Sequence, residues 1–230
     1  QLLSILESMG KEVYIANFEG LTPDSDASAC RILVPDYSEV YPVEDLIWDN
    51  TNKALDYRED ILNLHRLSED QLIDLVERLE DSQLDNYIDI KTLIGIEFDE
   101  NTVWGQLTII ELKILIYCAV GGLEQAYELI GDFLQYNDNT VERTMFYHAV
   151  HTTLEIALDE NLDFEHYQTN LTRMFGEERM NEVIALINGI DNFHGLTETS
   201  MALEGIEPHL RLIESYKKLH AARAKVVSSK

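Results

Sequence analysis

Between Pro42 and Pro208 the chain runs for 165 residues without a proline. Proline lacks a backbone donor and clashes with the preceding turn, so it interrupts helices. A long proline-free stretch rich in Leu, Ile, Glu and Asp is therefore the pattern of a helical array. The remaining prolines, Pro23, Pro35 and Pro42, fall within the first 42 residues. This distribution divides the chain into a short N-terminal segment open to sheet structure and a long helical body.

The N-terminal segment reads as helix, strand, loop, strand. Leu2 to Met9 has an amphipathic pattern and stops at Gly10, a residue suited to the position after a helix. Lys11 to Phe18 has strand character, Glu19 to Ser28 carries Gly20 and Pro23, and the nearly all-apolar Ala29-Cys30-Arg31-Ile32-Leu33-Val34 is halted by Pro35. Such an order belongs to an α+β or α/β sheet. Two strands alone do not make a stable sheet, so this piece is expected to pack on the helical body or on something outside the chain. The chain opens at Gln1, inside a helical pattern, and reads as the C-terminal fragment of a longer protein.

In the body, Pro42 with Glu44 and Asp45 suits the first turn of a helix, and helical pattern continues with breaks to Leu67. Ser68-Glu69-Asp70-Gln71 is a capping box that opens a helix with Leu72, Leu75, Val76 and Leu79 on one face. Ile88, Ile90, Ile94, Ile96 and Phe98 alternate as in a strand, but Lys91-Thr92-Leu93 breaks the alternation, and a short helix is the expectation. Leu107 to Val120 is apolar nearly all round and predicts a buried central helix. Gly121-Gly122 ends it, and Leu123, Ala126, Tyr127, Ile130, Phe133 and Leu134 form the stripe of an antiparallel partner. Asn139 with Glu142 is the expected cap of a helix striped by Met145, Phe146, Ala149, Val150, Leu154, Ala157 and Leu158. Further helices are expected over Asp163 to Phe175 and Glu177 to Asn188, and a last one from near Pro208.

Tyr117, the Gly121-Gly122 pair and Ala126 fall where a tetratricopeptide unit has its turn glycine and small contact residue. A generic helical hairpin fits them equally well, and no second copy recurs at a fixed period. The expected fold class is mainly α: a small helix-strand-strand α/β edge followed by an all-helical, tetratricopeptide-like hairpin array. The expected divisions are residues 1–50, connecting helices over 51–86, and a helical domain over 87–230 with a basic C-terminal tail.

The formal charge is -26, from 17 Lys and Arg against 43 Asp and Glu. Such a field opposes polyanions and anionic lipid surfaces, which argues against nucleic acid and membrane as partners. The charge is uneven: residues 211–230 carry a net +5 and residues 1–210 a net -31. Cys30 and Cys118 each sit in an apolar run with no CxxC spacing, so both are expected to be buried thiols of a reducing, cytoplasmic compartment. The sequon Asn170-Leu171-Thr172 falls inside a helical pattern and reads as a chance match.

His148 and His151, with Glu155 four residues on, share a helix face of the kind that can hold a metal. No fourth ligand is identifiable, and both histidines border the Ala149-Val150 stripe, so no metal site is expected. No G-x-S-x-G, Walker-A or GxGxxG pattern is present, nor a cysteine with a local base. Acidic runs such as Glu77-Arg78-Leu79-Glu80-Asp81 read as solvated helix faces. No catalytic residue is assigned, and the cofactor-binding residues are unknown at this point.

The segment Ala29-Cys30-Arg31-Ile32-Leu33-Val34-Pro35-Asp36-Tyr37-Ser38-Glu39-Val40-Tyr41-Pro42-Val43-Glu44-Asp45-Leu46-Ile47-Trp48 resembles the end of the YcaO domain, where a closing strand enters a Val-Pro turn of this kind. Gly10-Lys11-Glu12-Val13-Tyr14 matches the step before it, and Trp104-Gly105-Gln106-Leu107 with the Gly121-Gly122 hairpin is similar to the longer bacterial members. Those members are accessory factors for β-methylthiolation of an aspartate on a small-subunit ribosomal protein. The resemblance implies ATP and Mg²⁺ for the full-length parent, held by groups upstream of this segment. Azole-forming members end in a proline-rich tail. This chain ends Ala224-Lys225-Val226-Val227-Ser228-Ser229-Lys230, which favours the accessory-factor branch. The implied partners are proteins: the methylthiotransferase or a basic ribosomal protein, with a homodimer as a further use of an exposed apolar stripe. The alternative is a stand-alone tetratricopeptide-like protein-binding domain with no link to ATP.

Overall fold

Apolar residues dominate the two N-terminal runs, and these are the runs that pair. In the computed structural model, which describes residues 13–18, 29–33, 51–136 and 140–228, strands β1 (Tyr14–Phe18) and β2 (Ala29–Leu33) are antiparallel. Tyr14 lies opposite Leu33 and Phe18 opposite Ala29. The helix expected at residues 2–9, the Val34-Pro35 turn and the start at Pro42 lie outside the described residues. The chain divides into two units, Gln1–Leu46 and Ile47–Lys230.

The second unit is mainly helical. Helix α1 (Thr51–Leu62) leads through a 3-10 turn at Leu64–Arg66 to α2 (Glu69–Asp81). The capping box forms as read: the Ser68 hydroxyl accepts from the Gln71 N–H, and Gln71 Oε1 accepts from the Ser68 N–H at 2.9 Å. That satisfies two of the four donors a helix start leaves over, and is worth roughly 1 kcal/mol at the N-cap. Leu72, Leu75, Val76 and Leu79 are all buried.

The ambiguous Ile88–Phe98 stretch divides its roles. Ile90–Ile94 is a short helix, α3, ended by Gly95 in the left-handed region. Just before it, Asp89 forms an isolated antiparallel bridge with Thr108. Ile90 N–H donates to Leu107 O at 2.8 Å and Ile109 N–H donates to Ile88 O at 3.1 Å. The partial alternation thus marks a one-residue bridge running into a helical turn.

After α4 (Val103–Gln106), helix α5 covers Ile109–Ala119, shorter than the 107–120 expected because Leu107 and Thr108 serve the bridge. Its apolar residues are buried on every side, as the all-round pattern requires. Gly121, with φ 76°, makes the turn into α6 (Leu123–Tyr136), and a Cβ on Gly122 would meet the Tyr117 ring at 2.8 Å. Ala126 is fully buried.

Helix α7 (Val141–Leu158) is capped by Thr140, whose hydroxyl accepts from Arg143 N–H at 3.4 Å. The expected cap, Asn139, lies outside the described residues, and Glu142 turns to another partner. Helices α8 (Phe164–Phe175) and α9 (Glu177–Ile187) meet at Gly176. Helix α9 packs back on α7 and α5 as well as on α8. In a solenoid each unit touches only its sequence neighbours. One hairpin of the expected kind is present, α5–α6, but the return of α9 closes the helices into a bundle rather than a linear stack.

The last helix, α10 (Glu207–Ser228), carries the basic tail. Leu212 and Tyr216 are exposed on it. No helix among the described residues is long and apolar enough to cross a membrane.

Candidate functional site

Two charged residues interrupt the apolar run of α5, and both are buried: Glu111 and Lys113. Isolated charges are very costly in a core, so each must find a partner. Lys113 donates from Nζ to Asn86 Oδ1 at 3.0 Å, and burial lowers its pKa. Nearby, the Tyr117 hydroxyl donates to Glu80 Oε1 at 2.7 Å, and burial together with that carboxylate pushes the phenol up to about 12.

Glu111 is the more consequential. Its Oε1 accepts from Arg143 Nε at 2.8 Å and from the Tyr147 hydroxyl at 2.8 Å, while its Oε2 forms an ion pair with Arg143 Nη2. Arg143 Nη2 also donates to Gln106 O at 2.9 Å. Arg143 sits in the first turn of α7, where the helix dipole disfavours a cation. Burial lowers its pKa further, and the neighbouring Tyr147 and Asp89 oppose that shift. The buried carboxylate is what makes the position tenable. Burial also raises the Tyr147 phenol well above its ordinary value.

This neutral cluster is the floor of a cavity of about 310 Å³. Phe146 and Tyr147 of α7 line it together with Arg179 and Glu182 of α9 and Val103 of α4. The far wall is His194, on the segment that follows α9. That segment is pinned over α4: Trp104 Nε1–H donates to Thr197 O at 2.9 Å. Gly195 has φ 74°, and a Cβ there would meet Val103 Cγ2 at 2.8 Å, so only glycine permits the approach. The His194 ring stacks on Phe146 with centroids 4.3 Å apart and planes at 15°. At the rim, Arg179 Nη2 donates to Glu142 Oε1 at 2.5 Å and Arg179 Nη1 to Phe175 O at 2.6 Å.

The carboxylate and phenol floor of the cavity is committed to the Arg143 pair, and the raised phenol holds its proton at neutral pH. The histidines singled out in the sequence lie elsewhere. His151 stacks on Tyr127 at 4.3 Å, and burial lowers its pKa. His148 is exposed. Among the described residues no group of three or more His, Cys, Asp or Glu is placed to hold a metal.

The sequence held a signal for this site that periodicity alone passed over. A Glu and a Lys inside an otherwise apolar helix are the mark of buried, partnered charges. Their partners, Asn86, Arg143 and Tyr147, are 27 to 36 residues away, and no local pattern links them.

Comparison with known proteins agrees with the resemblance carried by residues 29–48. The chain is 31% identical over 227 residues to the ribosomal protein S12 methylthiotransferase accessory factor YcaO of Escherichia coli, an alignment covering 97% of this chain and 38% of that protein. It is also 31% identical over 227 residues to an uncharacterized protein of Haemophilus influenzae, covering 96% of this chain and 38% of the relative. The chain thus spans well under half the length of these relatives. Residues 54–225, most of the helical unit, match the family described as the YcaO cyclodehydratase C-terminal domain. On that match, and on a relative aligned across nearly the whole chain, this chain belongs to the YcaO cyclodehydratase C-terminal domain family.

Proposed function

We propose that the chain is the C-terminal region of an ATP-dependent, cytoplasmic accessory factor that assists β-methylthiolation of an aspartate on ribosomal protein S12. Within it, the helical unit is a structural and protein-interaction module, and residues 1–50 are the closing edge of a YcaO-type α/β domain. The observation that carries the reading is the 31% identity to the Escherichia coli accessory factor across 97% of the chain. The chemistry of the helical unit supports it: a committed ion-pair floor, an open cavity and a strongly acidic chain suit recognition of a basic protein. ATP and Mg²⁺ belong to the longer parent in this reading. A stand-alone tetratricopeptide-like domain has less support, because α9 closes back on α5 and the family match runs through the whole unit.

The test is a binding series with the full chain against an isolated basic small-subunit ribosomal protein and against ribosomal RNA, from low to physiological salt. Saturable protein binding with little RNA binding is expected. Tight RNA binding that weakens steeply with salt would overturn the reading, since it requires a cationic surface.

A further inference from the structure

Two cavities meet at α9. The one described above shares Glu142, Arg179 and Glu182 with a second, of about 440 Å³, that reaches Phe175, Glu177 and Glu178. Outside the neutral Glu111–Arg143 pair, the joined walls carry four carboxylates, Glu142, Glu177, Glu178 and Glu182, and a single arginine, Arg179. That guanidinium is already held as a bound arginine would be, between the Phe175 carbonyl and the Glu142 carboxylate. The pair is asymmetric: the Arg179 side chain is 19% exposed and that of Glu142 is 85% exposed. A carboxylate thus reaches in from solvent to a guanidinium lodged in the wall. Beside it lies the His194 ring, 29% exposed and stacked on the buried Phe146, with Glu182 Oε2 4.0 Å and Asp191 Oδ2 3.5 Å from its nitrogens.

We propose that this composite groove is a receptor for an arginine side chain of a basic polypeptide, with Arg179 the internal occupant that the incoming guanidinium displaces from Glu142. The proposal rests on the reading that the helical unit meets a basic protein, and it names the side chain recognised and the place. Guanidinium rather than ammonium follows from the geometry. Carboxylates beside the His194 ring match a planar, forked donor, whereas a lysine brings only a point charge. Glu142 is the exchangeable partner because it is mostly solvated and loses little on changing cations. Arg179 occupies Glu142 until a ligand arrives, and the other carboxylates leave the groove acidic.

The experiment uses the full chain and two fluorescent probes, nona-arginine and nona-lysine, read by anisotropy at physiological salt. Nona-arginine is expected to bind, and nona-lysine about tenfold more weakly or less. Glu142→Gln/Glu182→Gln should weaken nona-arginine binding about tenfold or more, while Glu124→Gln/Glu128→Gln, which removes the same charge from the exposed face of α6, should change it by less than about twofold. Arg179→Ala, or Arg179→Gln if the alanine variant folds poorly, should tighten binding by removing the internal competitor. Weaker binding by both Arg179 variants would mark an anion pocket and overturn the proposal. So would equal losses in the two glutamate pairs, equal affinity for the two probes, or no binding of nona-arginine. The isolated ribosomal protein is measured in parallel. If it binds the groove variant as well as the parent chain, the groove assignment falls and the proposed function stands. If it binds neither while nona-arginine binding follows the pattern above, the proposed function falls and the groove stands.

Discussion

Replacing Glu111 with glutamine keeps the shape of the side chain and removes its charge. In the native arrangement one carboxylate serves three donor groups: Arg143 Nε, Arg143 Nη2 and the Tyr147 hydroxyl. In the variant the Gln amide can accept at one position only, and its NH₂ group faces a donor at the other. Arg143 is left as a cation with a side chain only 15% exposed, retaining the Gln106 carbonyl at 2.9 Å. Breaking a buried pair by removing one partner costs about 3–5 kcal/mol. The surviving carbonyl bond and the adjoining cavity, which can admit water, place this case at the lower end, about 3 kcal/mol. For a unit of this size that corresponds to a fall in Tm of about 6–12 °C. Arg143→Met alone strands the Glu111 carboxylate and should cost a similar amount. The double variant, in which the charges leave together, should cost much less than the sum, because replacing a buried pair with apolar groups is often nearly neutral. Scanning calorimetry and urea unfolding of the four proteins measure the cycle. A loss below about 1 kcal/mol for Glu111→Gln, or strict additivity in the double variant, would refute the claim that the pair is buried and mutually dependent.

Ala126, fully buried on α6, has no room for a larger side chain, and Ala126→Leu should cost about 1–3 kcal/mol by overpacking, seen as a lower urea midpoint at unchanged slope. His209 Nδ1 accepts from Glu97 N–H at 3.2 Å, so the ring must be unprotonated there, and burial with the nearby Arg58 lowers its pKa. A folded pKa below the unfolded value means that this contribution is complete above the unfolded pKa of about 6.5 and is lost as pH falls through the folded pKa. Stability of His209→Asn should therefore fall less than that of the parent chain between pH 7 and 5, and identical pH profiles would remove His209 from the account. Burial pushes the Cys118 thiol up to about 12. Its alkylation at pH 8, mapped by mass spectrometry, should await unfolding, and rapid labelling of native protein would contradict the packing of α5.

Much of the helical unit was legible in the sequence because its signals are local. Serine and glutamine three residues apart fix the start of α2, and those two side chains complete the bond pattern by themselves. Gly176 and Gly189 mark helix ends because positive φ is cheap only for glycine. All-round apolarity placed α5 in the centre, since a helix with no polar face has nowhere to lie except between other helices.

Tertiary structure decided the rest. Whether Ile88–Phe98 became strand or helix depended on Leu107 and Ile109, which supply the bridge partners for residues 88–90 and leave Ile90–Ile94 to turn. Whether the helices formed an open stack or a closed bundle depended on where α9 returned, and hydrophobic stripes name a buried face without naming its partner. The candidate site depended most on the fold. Glu111, Arg143, Arg179 and His194 come from three helices and a connecting segment, and only the packing of α7 and α9 against α5 brings their charges within reach of one another. Short-range chemistry fixes turns and caps, but a buried charge is partnered across the fold, because only the interior excludes the water that would otherwise satisfy it.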